Sequence, residues 1–205
     1  MHLLLAMFNA MQPGVFALSG WDLCGMLTLQ RSQVSRLIRA GDTRWIHRAA
    51  YDLMNYRPQA TESASGIPRG TCLYGSLPDQ LSDPESFVSR LRQMLTIRTR
   101  YGIATGVQLD VPPVTDKAML VMVHRLDTGQ PQVAVLNFAD RPIVGRVTSE
   151  HLPLGGAVVD MFTDRMIAGV DRDRSFAVSL APHQGMSLLV VDQQYPKVAQ
   201  SGPSS

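Results

Sequence analysis

The stretch MQPGVFALSGWDLCG, Met11–Gly25, decides how the rest of the chain is read. An apolar run precedes it. Pro13 and Gly14 break that run, Val15–Leu18 continues as four apolar residues, and Trp21 and Asp22 stand between Gly20 and Gly25. Proline and glycine are the strongest local punctuation a chain carries. A short apolar run with a β-branched member suits a parallel strand covered on both faces. Gly20 leaves room for a turn that a larger side chain would obstruct. A strand that ends in a tight loop with an aromatic ring and a carboxylate fits a late strand of a β/α barrel at its ligand-facing rim. The opening methionine then reads as an internal one or as the start of a truncated frame.

Working outward, residues 2–11 read as a helix that is apolar on nearly all faces, as a buried helix would be. Its apolar run is too short to span a bilayer, and with no basic cluster in front it makes a poor signal peptide. Residues 31–40 read as a short amphipathic helix with Val34, Leu37 and Ile38 on one face, ended by Gly41. Trp45, Ala49 and Leu53 suggest another helical piece. Residues 55–79 are rich in Gly, Pro, Ser and Thr, a long loop for a compact domain. Asp83-Pro84-Glu85 then reads as a helix start, with a capping carboxylate, a preset φ and a charge at the positive end. Apolar residues from Phe87 to Tyr101 follow at helical spacing, Arg98 and Arg100 fall near the negative end, and Gly102 supplies a left-handed cap.

From Met119 the period changes. Met119–Arg125, Gln132–Phe138, Ala157–Phe162, Ser175–Leu180 and Met186–Val191 are strand candidates, and Pro142–Val147 adds another. Short strands separated by turns suggest an antiparallel sandwich. The expected architecture is therefore a partial (β/α)8 barrel end (last strand and helices, residues 1–105) followed by an antiparallel β-sandwich (106–192) and a frayed tail (193–205). A complete barrel needs eight strand-helix units and roughly 250 residues.

Composition narrows the function classes. The net charge of +2 over 205 residues comes from scattered basic residues, so nucleic acid is not an expected partner. No membrane segment is expected either. Cys24 and Cys72 show neither metal spacing nor a disulfide framework and read as separate reduced thiols, which fits a cytoplasmic setting. No phosphate loop, serine elbow, zinc signature or calcium loop is present, so no cofactor and no metal is expected.

In order and spacing these segments resemble the C-terminal part of an α-amylase-family enzyme (glycoside hydrolase family 13), and most closely the trehalose synthase or maltose glucosyltransferase branch. Pro13, Gly14, Gly20, Asp22 and Gly25 match the family's last helix-to-strand passage. DPESFVSRLRQMLTIRTRYG resembles the final barrel helix, with an arginine near its end. MLVMVHRLDTGQPQVAVLNFADRP resembles the opening of the C-terminal sandwich through Arg125, Asn137 and Phe138, and LAPHQGMSLLVV its ending through Pro182 and Gly185. The resemblance covers residues 2–192.

What the resemblance implies is retaining chemistry on an α-glucan or maltose. That chemistry uses a carboxylate nucleophile and a carboxylic acid about 5–5.5 Å apart. The family carries these after middle barrel strands, which correspond to nothing in this sequence. The chain alone is expected to lack the catalytic carboxylates, whether the parent transfers glucose from maltose to make trehalose or hydrolyses α-glucosides. Trp21 and Asp22 are the candidate substrate-binding residues: an indole face covers sugar C–H groups, and a carboxylate accepts a sugar hydroxyl. Packing over the strand end and a structural role in the Gly20–Gly25 turn are the alternatives. Trp45 and Tyr51 read as packing residues, and Asn137 as the cap of the turn leading to Asp140. The competing function is a non-catalytic β-sandwich module that packs on or partners a carbohydrate-active barrel. Apolar faces on residues 2–18 and 84–101 would then need a partner chain, self-association or a repacked core.

Overall fold

A computed structural model describes residues 1–192. The tail expected over 193–205 lies outside the described residues. The chain forms two compact units, one of residues 1–16 with 93 onward and the other of residues 17–92.

The first unit is built on two antiparallel sheets. Strands β1 (Val107–Asp110), β2 (Met119–Arg125), β3 (Pro131–Asn137), β5 (Ala157–Asp160), β6 (Arg165–Gly169) and β8 (Gly185–Val191) form a six-stranded sheet in the order β1-β2-β3-β8-β5-β6. Strands β4 (Ile143–Thr148) and β7 (Ser175–Leu180) form the second sheet. β4 alternates buried and exposed residues without a break, as a half-solvated strand does. Its inward Ile143 and Val147, with Phe176, Val178 and Leu180 of β7, pack on Val121, Val123, Val133, Val135, Leu188 and Val190 of the larger sheet. That is the sandwich core.

β2 and β3 do not alternate, because the six-stranded sheet is covered on both faces. Met122, Ala134, Leu136 and Leu189 point the other way and meet α1 (His2–Ala10) through Leu4, Met7 and Ala10. Met94 and Ile97, from the C-terminal half of α4 (Phe87–Arg100), complete this second core with Ile103. Each fully buried side chain of this size contributes about 1.5–3 kcal/mol. The apolar faces expected to lie open on α1 and on the end of α4 are thus covered by the outer face of the sheet. Gly185 marks the closest approach: a Cβ there would meet Met7 Sδ at 2.5 Å and Leu136 Cδ2 at 2.6 Å.

The junction after α1 departs from expectation. Val15–Leu18 is extended but joins no ladder, and Val15 is 97% exposed. A strand of a closed barrel has neighbours on both edges, and the named strands pair only antiparallel with one another. Among the described residues no barrel closes. The chain instead folds back through Gly14, whose N–H donates to Ala104 O at 2.8 Å and whose φ is +95°. The buried guanidinium of Arg98 gathers the carbonyls of Ala10 (2.6 Å), Gln12 and Gly14.

In the second unit, α2 (Gly20–Cys24) and α3 (Leu77–Ser82) are the α-helices that precede the start of α4. Residues 31–40 are not an amphipathic helix but successive turns ending in a 3-10 turn, Ile38–Ala40, closed by Gly41 at φ +84°. A second 3-10 turn spans Thr43–His47. Leu29, Val34 and Ala49 form a small core there. A segment this short cannot offset the cost of helix nucleation by itself. α4 begins at Phe87 rather than at Pro84. Asp83 caps a preceding turn through Glu85 N–H, and Ser86 Oγ accepts the N–H of Ser89.

Candidate functional site

The segment read as a loop, Gly20–Gly25, is one turn of helix fixed at both ends. Ser19 Oγ accepts the Trp21 N–H at 3.3 Å, and Asp22 Oδ2 accepts the Ser19 N–H at 3.0 Å, a reciprocal capping box. At the other end Gly25 is left-handed, and its N–H donates to Asp22 O. The Ser-x-x-Asp spacing of residues 19–22 is the sequence signal for this box.

The structure places Trp21 and Asp22 on this turn, among aromatic side chains. The indole N–H of Trp21 donates to Ala49 O at 3.1 Å, and its ring meets Tyr51 edge-on, 6.5 Å between centroids. The Tyr51 hydroxyl sits where a side chain at residue 20 would begin, which explains Gly20. Tyr74 stacks on Phe87 at 5.2 Å and 16°. Burial raises the Tyr74 phenol, and the negative charge of Asp22 adds to it. Trp21 and Asp22 are both half-buried. The arrangement offers a carboxylate beside a tyrosine and an indole held by its own N–H, groups able to receive polar hydroxyls and apolar C–H faces. Trp45 packs in the small core with Arg48 over its ring at 5.6 Å.

Other carboxylates of this unit hold backbone. Asp52 accepts the N–H of Tyr56 at 3.0 Å and of Arg57 at 2.6 Å, and these bonds, Arg57 first, keep it below the usual carboxylate range. Asp79 caps α3 with Ser76. Among the described residues no three His, Cys, Asp or Glu side chains are grouped to hold a metal ion. No helix among them is long and apolar enough to cross a membrane.

The structure brings Cys24 and Cys72 together. Cys24 and Cys72 are both free thiols, but they lie on adjoining backbones, with Met26 and Cys72 as antiparallel partners. Their separation in sequence gave no sign of this.

Sequence comparison with protein-family models finds no match, and comparison with curated proteins finds none either. Solved structures do match. Amy13B of Eubacterium rectale superposes with a TM-score of 0.61 at 16% identity, over 93% of this chain and 34% of that one. Isomaltulose synthase (PalI) of Klebsiella sp. LX3 gives 0.59 at 15% identity, over 92% of this chain and 38% of that one. AmyP in complex with maltose gives 0.56 at 12% identity, over 92% and 34%. The chain shares the fold of a portion of each of these structures. The chain spans about a third of the length of these structures. At such identities the likeness is one of fold, and it extends over both units.

Proposed function

We propose that this chain is the C-terminal portion of a retaining enzyme acting on maltose or another α-glucan, with the trehalose synthase or maltose glucosyltransferase branch as its nearest kind. In this reading the catalytic carboxylates belong to a segment not contained in these residues, and the chain alone is inactive. The observation that carries the reading is the fold match over more than nine-tenths of the chain to structures about three times as long, together with Val15–Leu18, an apolar extended segment that has no ladder partner here. Val15, bare at 97%, is explained if neighbouring strands cover it in the whole enzyme.

Trp21 and Asp22 then belong to the outer wall of the sugar pocket. The indole lies against sugar C–H groups, and Asp22 orients the turn while accepting a sugar hydroxyl. Reading the DNA immediately upstream in all frames tests the proposal. An open frame with acidic residues after earlier barrel strands is expected. A non-coding region there would overturn it. In the joined polypeptide, Trp21→Ala is expected to raise KM for maltose several-fold with a smaller change in kcat, as loss of uniform binding does. Unchanged KM would remove Trp21 from the pocket.

A further inference from the structure

The backbone of residues 24–27 runs against that of 71–74. Leu27 N–H donates to Thr71 O at 2.8 Å, Leu73 N–H to Gly25 O at 3.1 Å and Tyr74 N–H to Cys24 O at 3.0 Å. The ladder is braced by Gln80, a buried side chain whose amide donates to Leu23 O at 2.8 Å and Gly75 O at 2.9 Å. Within it Met26, two residues from Cys24, is the antiparallel partner of Cys72, and the two thiols interact electrostatically. The two cysteines therefore lie on adjoining, hydrogen-bonded backbones. They differ in access, since Cys24 is 3% exposed and Cys72 is half-buried.

We propose that Cys24 and Cys72 form a redox pair whose oxidation by a low-molecular-weight disulfide clamps α2, with Trp21 and Asp22, to the 71–74 segment. The more accessible Cys72, as thiolate, attacks one sulfur of the small disulfide and expels its other half as a thiolate. Cys24 then attacks Cys72 Sγ in the mixed disulfide, the Cys24–Cys72 bond forms, and the second small thiolate leaves. The two protein thiols are oxidised and the small disulfide is reduced. The two protons released end on the two small thiols. Cys24 is the slow partner: burial first, then its interaction with Cys72, pushes it up to about 12, and its Sγ–H donates to Trp21 O at 3.3 Å. Thiol–disulfide exchange proceeds through the thiolate, so burial of Cys24 slows the second step without preventing it. The inference does not depend on the sugar-pocket reading, because it concerns only the ladder and its two thiols.

The folded 205-residue chain is incubated with glutathione disulfide, alkylated and examined by intact mass and peptide mapping. The expected product is one intramolecular Cys24–Cys72 cross-link, lighter by two hydrogens, lost from alkylation and restored by dithiothreitol. In Cys24→Ser the reaction is expected to stop with one glutathione retained on Cys72. The wild-type mass carries the test even if that variant folds poorly. Three wild-type outcomes overturn the proposal: glutathione retained on Cys72 beside an alkylatable Cys24, cross-links only between chains, or both thiols still alkylated.

Discussion

Arg98 buries its charge against backbone carbonyls. It is 7% exposed, and its described partners are the carbonyls of Ala10, Gln12 and Gly14. These include carbonyls that a helix C-terminus leaves without intrahelical partners. Burial lowers its pKa, but an arginine stays charged at any working pH. Removing the guanidinium strands buried acceptors, so Arg98→Met is expected to cost about 2–5 kcal/mol, read as a lower urea midpoint. Arg98→Lys keeps the charge without the planar fork and should fall between. Equal midpoints for all three would contradict this account. His124 is a second buried titratable group in the first unit. It is fully buried, its Nδ1 lies 2.6 Å from Gln132 Oε1, and Gln132 in turn donates to Ser187 Oγ at 2.8 Å. Burial lowers its pKa, and the bond to Gln132 opposes this only in part. The unfolded chain takes the proton near pH 6.5, the folded chain only at lower pH. Stability is therefore full above about pH 6.5 and falls as pH drops below it, by up to about 1.4 kcal/mol per pH unit. His124→Gln should lose that slope between pH 6.5 and 5 in urea titrations, and a slope equal to wild type would remove His124 as its source.

At the scale of elements, the turn after β3 rests on one side chain. Asn137 is fully buried, accepts the Ala139 N–H at 2.8 Å, and donates to Arg141 O and Ala181 O, each at 2.8 Å. Asn137→Ala is expected to cost about 1–3 kcal/mol by thermal or urea unfolding, since three part-buried backbone groups lose partners. Gly185→Ala forces a methyl between Met7 and Leu136, and overpacking of this kind costs about 1–3 kcal/mol. A wild-type midpoint for that variant would mean that α1 is free to shift away from β8. These elements also show what the sequence could reveal. Met119–Arg125 and Ser175–Leu180 form as read, because each carries its own apolar or alternating pattern. The capping role of Asn137 was legible for the same reason: the signal is local. β1 and β6 carry no such signal, because both are short edge strands without alternating burial. The start of α4 was misplaced because two caps compete within four residues, and Ser86 prevails over Asp83. At the candidate site the residues were legible and their geometry was not. Asp22 holds the cap of α2, so Asp22→Ala should cost about 0.5–2 kcal/mol in stability whatever its role toward sugar.

At the scale of the molecule, the sheets and their packing follow from burial, while function rests on what the fold match implies. The first unit satisfies itself: one face of its large sheet meets β4 and β7, the other meets α1 and the end of α4. Val15 at the junction is an apolar residue that this packing leaves bare. In the proposed reading, neighbouring strands of the whole enzyme would cover it. The account is tested most directly by maltose turnover, measured on the 205-residue chain and on the polypeptide extended through the upstream reading frame. The account predicts release of glucose or formation of trehalose by the extended polypeptide and none by the chain alone. Turnover by the chain alone, or an extended polypeptide inert toward maltose and longer α-glucans, would contradict it.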